Sequence, residues 1–327
     1  MKPRVAIVGA GVSGLTSAIV LAERGYRAAI FAEETGQRTT SAAAAAIWYP
    51  YDAEPADAVI AWALETYKVL VDLSRAPPSG VSMIELRTFS RTGEIQIPDW
   101  AIPLGAVGIP TVVEESLTVF PSAFTSGFAL SVPLLDTTIY LDYLADRFQK
   151  AGGSITRNVR FESLEDVGRD FDLVINCSGI GAKALVHDAD LEPHRGQVAI
   201  VPKIENLFCA IVCDDAPLMY AIPRTNDCVF GGTNELSESR DVDPTSTSHI
   251  LAECMRVLKI DKPQVLAERV GLRPFRKSGV RIERDQLRDG RPVVHNYGHG
   301  GSGFTLSWGC AENVLGLADL RQRDALK

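Results

Sequence analysis

Three features predict an α/β protein in two parts. An apolar run at residues 4–8 ends in a glycine-rich turn, and a second at residues 27–32 stops at an acid. Residues 75–135 mix many prolines and glycines with short β-type runs such as Ile95-Gln96-Ile97. The first two predict a Rossmann-like domain on a parallel sheet; the third predicts a second, sheet-containing domain inserted into it.

Arg4–Val8 reads as a buried parallel strand, since it is short, apolar and bounded by glycine. Gly9-Ala10-Gly11-Val12-Ser13-Gly14 follows, a GxGxxG. Next comes a helix with Leu15, Ala18, Ile19 and Ala22 on one face, ended by Gly25. A second strand, Arg27–Ala32, runs to Glu33 and Glu34. In such a unit Gly9 permits the tight turn, Gly11 lets backbone approach a pyrophosphate, and Gly14 lets helix and strand pack closely. The first N–H groups of the helix, at Val12 and Ser13, face the phosphates. Glu33 is placed to accept the ribose hydroxyls and disfavours a 2′-phosphate. Strand, turn, helix, strand and acid together point to a dinucleotide; these residues leave FAD and NAD both open.

Arg38-Thr39-Thr40-Ser41 leads into Ala42–Ala46 and Ile47-Trp48-Tyr49-Pro50-Tyr51. The small side chains would let a flat ring system lie against the backbone while the hydroxyls reach phosphate. A plain alanine helix fits that composition equally well. Asp136 or Thr137 caps a helix with Leu141, Leu144, Ala145 and Phe148 on one face, ended by Gly152-Gly153, and a strand follows at Ser154–Thr156. Asp172–Asn176 reads as another buried strand, running into Cys177-Ser178-Gly179 beside the nucleotide. Val198–Val201, Ala210–Cys213 and Asp227–Phe230 read as strands of the second domain, and Glu235–Asp243 as a solvated acidic loop. Near the end, a strand at Val293–Asn296 and a helix from Thr305 enclose a run of glycines, a second place where backbone N–H groups meet an electron-rich ligand. Nucleotide-type turns at both ends of the chain favour a cofactor longer than NAD, and FAD fits.

Composition narrows the function classes. The 327 residues are 46% apolar with a formal charge of −8, which argues against a nucleic-acid partner. No apolar run is long enough to span a bilayer, no signal peptide is evident, and the cytoplasm is the default compartment. The six cysteines include no CxxC, and Cys209 and Cys213 lack histidines at ligand spacing, so no metal is expected. A homodimer is left open.

The chain resembles the D-amino acid oxidase family, which includes D-aspartate oxidase, along nearly its whole length. The resemblance is carried by GAGVSGL at 9–15, IWYPY at 47–51, NCSGIGA at 176–182, RGQ at 195–197, GGT at 231–233, GLRPFR at 271–276 and VHNYGHGGSGF…WGCA at 294–311. It implies a Rossmann-like FAD-binding domain, at 1–74, 136–195 and 273–327, with a mixed-sheet substrate-binding domain at 75–135 and 196–272. It also implies oxidation of a D-amino acid, with hydride passing from Cα–H to flavin N5 and oxygen as acceptor. The products are a 2-oxo acid, ammonia and hydrogen peroxide.

By the same resemblance Arg273 grips the substrate carboxylate, Tyr220 shares it through its hydroxyl, and the Gly301 carbonyl accepts from the amine. Guanidinium and carboxylate meet by two parallel hydrogen bonds, which fixes orientation. Gly300, Ser302, Gly303, Phe304 and Thr305 wrap the flavin's oxygen-rich edge. Thr39, Thr40, Ser41, Ala45, Ile47 and Val159 touch FAD; Glu34, Arg38, Ala46, Cys177, Ser178 and Gly179 are further contact candidates. Met219, Tyr49 and Val212 are expected as walls of the side-chain pocket.

Two departures bear on substrate. The lid of eukaryotic members is shortened, since only Ala216–Met219 separate Asp215 from Tyr220. Asn234 follows GGT where aspartate-specific members carry arginine, so neutral D-amino acids are expected. His299 is expected to be a loop histidine and not a base. Ala325-Leu326-Lys327 is not a peroxisomal tripeptide. The rivals are an oxidase of glycine, sarcosine or D-aspartate, a flavin dehydrogenase with another acceptor, and a non-catalytic nucleotide-binding protein.

Overall fold

A computed structural model describes residues 2–76, 78–109 and 123–324, with side chains to residue 319; the 325–327 tripeptide lies outside them. Along the chain come β1 (Arg4–Val8), α1 (Val12–Glu23), β2 (Arg27–Ala32), α2 (Thr40–Ala43), α3 (Ala56–Ser74), β3 (Val81–Ser90), β4 (Val107–Gly108) and β5 (Ser126–Leu135). There follow α4 (Thr137–Lys150), β6 (Ser154–Arg157), β7 (Leu173–Asn176), α5 (Ala182–Leu185), β8 (Leu191–Pro202), β9 (Cys209–Cys213), β10 (Met219–Pro223) and β11 (Asp227–Gly231). Last are β12 (Glu235–Leu236), α6 (Pro244–Leu258), β13 (Ala267–Arg276), β14 (Arg281–Gln286), β15 (Pro292–Tyr297) and α7 (Gly303–Asp324).

Two sheets organise these elements. One has the order β14-β15-β7-β1-β2-β6 and is parallel except for the β14–β15 hairpin. The chain leaves β1 toward β2 on one side and β7 on the other, which opens a crevice at the carboxyl end of β1. Apolar runs such as Val5–Val8 and Leu173–Asn176 are buried on both faces because helices cover the sheet. The other sheet has nine strands in the order β12-β8-β11-β10-β9-β3-β5-β4, with β13 also on β8. It is mixed, since β3 and β9 run parallel within an otherwise antiparallel sheet. Strand β8 begins at Leu191 and β13 ends at Arg276, so this sheet runs a few residues past 195/196 and 272/273 on either side.

Local chemistry sets the helix ends. The Asp136 carboxylate accepts from Thr138 N at 3.1 Å to cap α4, and Asp243 accepts from Thr245 and Ser246 to cap α6. One expectation changes, and of two alternatives left open for 42–46 the plain helix does not hold. Ile95-Gln96-Ile97 forms no strand: it is half-buried against the core, and the Ile95 N–H donates to the Ser126 hydroxyl in place of a ladder partner. The Ala42–Ala46 stretch is helical only as far as Ala43; Ala46 has φ +51°, and Ile47 then bridges to Leu134 of β5. In the acidic loop, Glu235 and Leu236 pair with β8 while remaining exposed.

Candidate active site

The carboxyl ends of β1, β2, β7 and β15 converge on one cavity of about 640 Å³, which continues across to the mixed sheet. At the β1 end the turn is made by backbone. Gly9 has φ +110°, and a Cβ there would stand 2.4 Å from the Cys177 carbonyl oxygen. A Cβ on Gly14 would stand 2.1 Å from the Gly9 carbonyl oxygen. Gly14 therefore lets α1 close on the turn and does not itself line the cavity. Gly11 at the N-cap of α1 has no side chain to cap it, and the first helix N–H, on Val12, donates to the Ser41 hydroxyl at 3.0 Å. These are the features a pyrophosphate site needs.

Most of the remaining cofactor candidates line the same cavity: Gly11, Val12, Ser13, Glu33, Glu34, Thr39, Thr40, Ser41, Ala45, Ala46, Ile47, Val159, Cys177, Ser178 and Gly179. So do Gly300, Gly301, Gly303, Phe304 and Thr305 from the opposite wall. Glu33 and Glu34 hold exposed ion pairs with Arg160 (3.5 Å) and Arg240 (3.3 Å). Solvent screens such pairs, so a ribose can compete for the carboxylates. Small side chains at Ala43–Ala46 leave room for a flat ring, and Gly271 packs on Ala43.

Two candidates stand elsewhere. Arg38 reaches Asn158 in solvent, 3.5 Å away, and is not on the cavity wall. Ser302 is fully buried behind the wall. Its hydroxyl accepts from Tyr51 N at 2.7 Å and donates to Tyr51 O. Thr305 clasps Tyr49 in the same way, at 3.1 and 3.0 Å. Two hydroxyls thus staple the 49–51 segment to the glycine loop.

His299 is buried, which departs from a simple loop histidine. Its ring meets Asn296 Oδ1 at 3.0 Å and the Ser13 hydroxyl at 3.4 Å. Burial pushes it down to about 4, so it is neutral near pH 7 and suited to orienting the turn.

At the other end the wall is made of side chains. Arg273 lies over the backbone of Gly196, where a Cβ would be 2.4 Å from its Nη2. Its Nη1 donates to Thr233 O at 2.9 Å and Asn234 Oδ1 at 3.3 Å. The Tyr220 ring occupies the space above Gly231 and Gly232, where a Cβ would come within 2.0 and 2.5 Å of it. Burial raises the Tyr220 hydroxyl's pKa and the nearby Arg273 guanidinium opposes this, so the hydroxyl stays a donor. The three motifs RGQ, GGT and GLRP thus meet around one guanidinium.

Tyr51 receives a hydrogen bond from Asn234 Nδ2 at 3.2 Å and stacks on Tyr49, with centroids 6.5 Å apart. Tyr49 donates to Asp214 Oδ2 at 2.9 Å. Tyr49 and Val212 line the cavity as expected; Met219 does not. Strand alternation puts Leu218, Tyr220 and Ile222 on the cavity face and turns Met219 into the core behind it. Tyr51 and Asp214 were missed. No local signal marks either: Tyr51 lies outside any strand, and Asp214 differs from its neighbour Asp215 only in its distant partners. Among the described residues no cluster of three His, Cys, Asp or Glu is placed to hold a metal, and no helix is long and apolar enough to cross a membrane.

Comparison with known proteins agrees with this arrangement. A family model described as FAD dependent oxidoreductase matches residues 4–316. A D-amino-acid oxidase of Rubrobacter xylanophilus is 41% identical, covering 96% of this chain and 95% of its own length. One from Streptomyces coelicolor is 38% identical, covering 96% of each. Among solved structures, glycine oxidase from Geobacillus kaustophilus superposes with a TM-score of 0.80 over 98% of this chain and 95% of that one. At 18% identity it speaks for the fold alone. The chain belongs to the DAO family of FAD dependent oxidoreductases.

Proposed function

We propose that this protein is a D-amino acid oxidase, with Arg273, Tyr220 and Gly301 holding the substrate. The observation that carries the reading is a half-buried guanidinium, tied to Thr233 and Asn234, facing the same cavity as the nucleotide-type turn. The full-length relatives named above are D-amino-acid oxidases, and the residues fit the FAD that the family description names. The α1 N-terminus and Ser41 would hold the pyrophosphate, Glu33 the ribose, and the Gly300–Thr305 wall with Ala43–Ala46 the ring system. Bound there, FAD would supply a two-electron acceptor for the Cα–H hydride, with oxygen as the final oxidant.

The chain's own part is orientation. Arg273 receives the α-carboxylate in two parallel hydrogen bonds, and the Tyr220 hydroxyl adds a third. The Gly301 carbonyl accepts from the amine. With three atoms of the substrate fixed, Cα–H is directed at one face of the acceptor, and that placement lowers the barrier. No side-chain base is required if the amine is bound neutral, and His299 is fully engaged with Asn296 and Ser13. The shortened 214–220 segment leaves product release without a tyrosine lid. A cytoplasmic setting goes with this reading, supported by six unpaired cysteines.

The test is the anaerobic visible spectrum of the holoenzyme with D- and L-amino acids. Bleaching by D-isomers only, followed by peroxide formation on admitting air, is the expected result. A yellow protein that no amino acid bleaches overturns the function.

A further inference from the structure

Two adjacent acids end strand β9, and the structure treats them differently. Asp215 is satisfied: it accepts from the Ser90 hydroxyl at 2.7 Å and from Arg91 N at 2.6 Å. Those bonds hold its carboxyl below the usual range. Asp214 faces the cavity, open to it on one side. Its partner is the Tyr49 hydroxyl at 2.9 Å, and among the described residues no Lys or Arg pairs with it. Crowding by protein on its other sides pushes its pKa up, opposed by the Tyr49 bond. A carboxylate on the cavity wall with no cationic partner attracts a cation that enters with the ligand.

The wall fixes where that cation would stand. Arg273 bonds Asn234, Asn234 bonds Tyr51, Tyr51 stacks on Tyr49, and Tyr49 bonds Asp214. Guanidinium and carboxylate therefore stand at opposite ends of one aromatic wall. A ligand with its carboxylate on Arg273 and a long side chain would pass Tyr51 and Tyr49 toward Asp214. A ligand with a second carboxylate there meets repulsion instead.

We propose that Asp214 recognises an ammonium or guanidinium at the end of the substrate side chain, so that the preferred substrates are D-amino acids with cationic side chains. This rests on reading the site as that of a D-amino acid oxidase, and it departs from the sequence expectation of a neutral side chain. Asn234 accounts only for the absence of a positive charge beside Arg273; Asp214 supplies a negative one at the far end.

The test compares D-lysine with D-norleucine, which has a chain of similar length without the charge. The wild-type holoenzyme is expected to favour D-lysine in kcat/KM by roughly tenfold or more, with D-glutamate poorest. Asp214→Asn is expected to move the ratio toward D-norleucine by the same factor. A second readout needs no turnover: calorimetric binding of 6-aminohexanoate and hexanoate, which lack the α-amine. The amino form is expected to bind more tightly to wild type and to lose that advantage in Asp214→Asn. Equal or better use of D-norleucine by wild type overturns the proposal. So does an equal loss for both substrates in the variant, which would mean that Asp214 holds the α-amine. If no D-amino acid bleaches the flavin, the oxidase reading fails, while the calorimetric pair still judges Asp214.

Discussion

The two ends of the cavity are built from different materials. At the nucleotide end the contacts are mainly backbone: Gly9 turns the chain, Gly14 admits the helix, and α1 starts with no side-chain cap at Gly11. At the substrate end they are side chains: Arg273, Tyr51 and the Asp214–Tyr220 pair come from three separate segments. Backbone sites tolerate no added atom but read many neighbours alike. Side-chain sites choose among ligands, and each member can be exchanged. The first kind should fail by losing structure, the second by losing selectivity.

The strongest test of that contrast is Gly14→Ala. Its Cβ would lie 2.1 Å from a backbone oxygen that cannot swing aside. We expect about 3 kcal/mol or more of lost stability and a protein that no longer keeps its flavin. The flavin-to-protein absorbance ratio and the denaturation midpoint check it. A yellow variant with an unchanged midpoint would break the comparison. Arg273→Ala should do the reverse, retaining flavin while kcat/KM falls by roughly a thousandfold.

Acid should also find the nucleotide end first. His295 and His299 are both pushed down to about 4 by burial, against an ordinary value of 6.5. Below pH 6.5 the unfolded chain binds protons that the folded chain refuses. The stability they support is complete above pH 6.5 and is lost as pH falls toward 4, by up to about 1.4 kcal/mol per unit for each group. Midpoints measured between pH 7 and 5 should fall, and a flat profile would contradict the buried, neutral assignment. The mildest expected effect is Tyr220→Phe, which removes one hydroxyl from the carboxylate. About a tenfold loss in kcat/KM with unchanged stability would sharpen the contrast.

Legibility in the sequence follows the same division. Strand, GxGxxG, helix, strand and acid are adjacent in the chain, so β1, α1, β2 and Glu33 could be read from spacing. Ser302 could not: its type suits a ligand contact, but its hydroxyl is spent on Tyr51, a partner 251 positions away. Met219 and Leu218 differ only in strand parity, which a five-residue apolar run does not reveal. Asp214 is chemically the twin of Asp215 in sequence, and only the arrival of Ser90 and Arg91 beside one of them tells the two apart.

The hydroxyl staples carry one more consequence. Ser302 and Thr305 hold Tyr51 and Tyr49, and Thr16 of α1 donates to Ser307 O of α7 at 3.1 Å. The turn after β1 therefore waits for a segment made nearly three hundred residues later. A nascent chain can form β1 and α1 early, but it has no walls for a nucleotide until residues 296–305 have left the ribosome. Flavin capture is then a closing event, and the cofactor acts as a clasp, adding its binding energy only to molecules whose two distant segments have met.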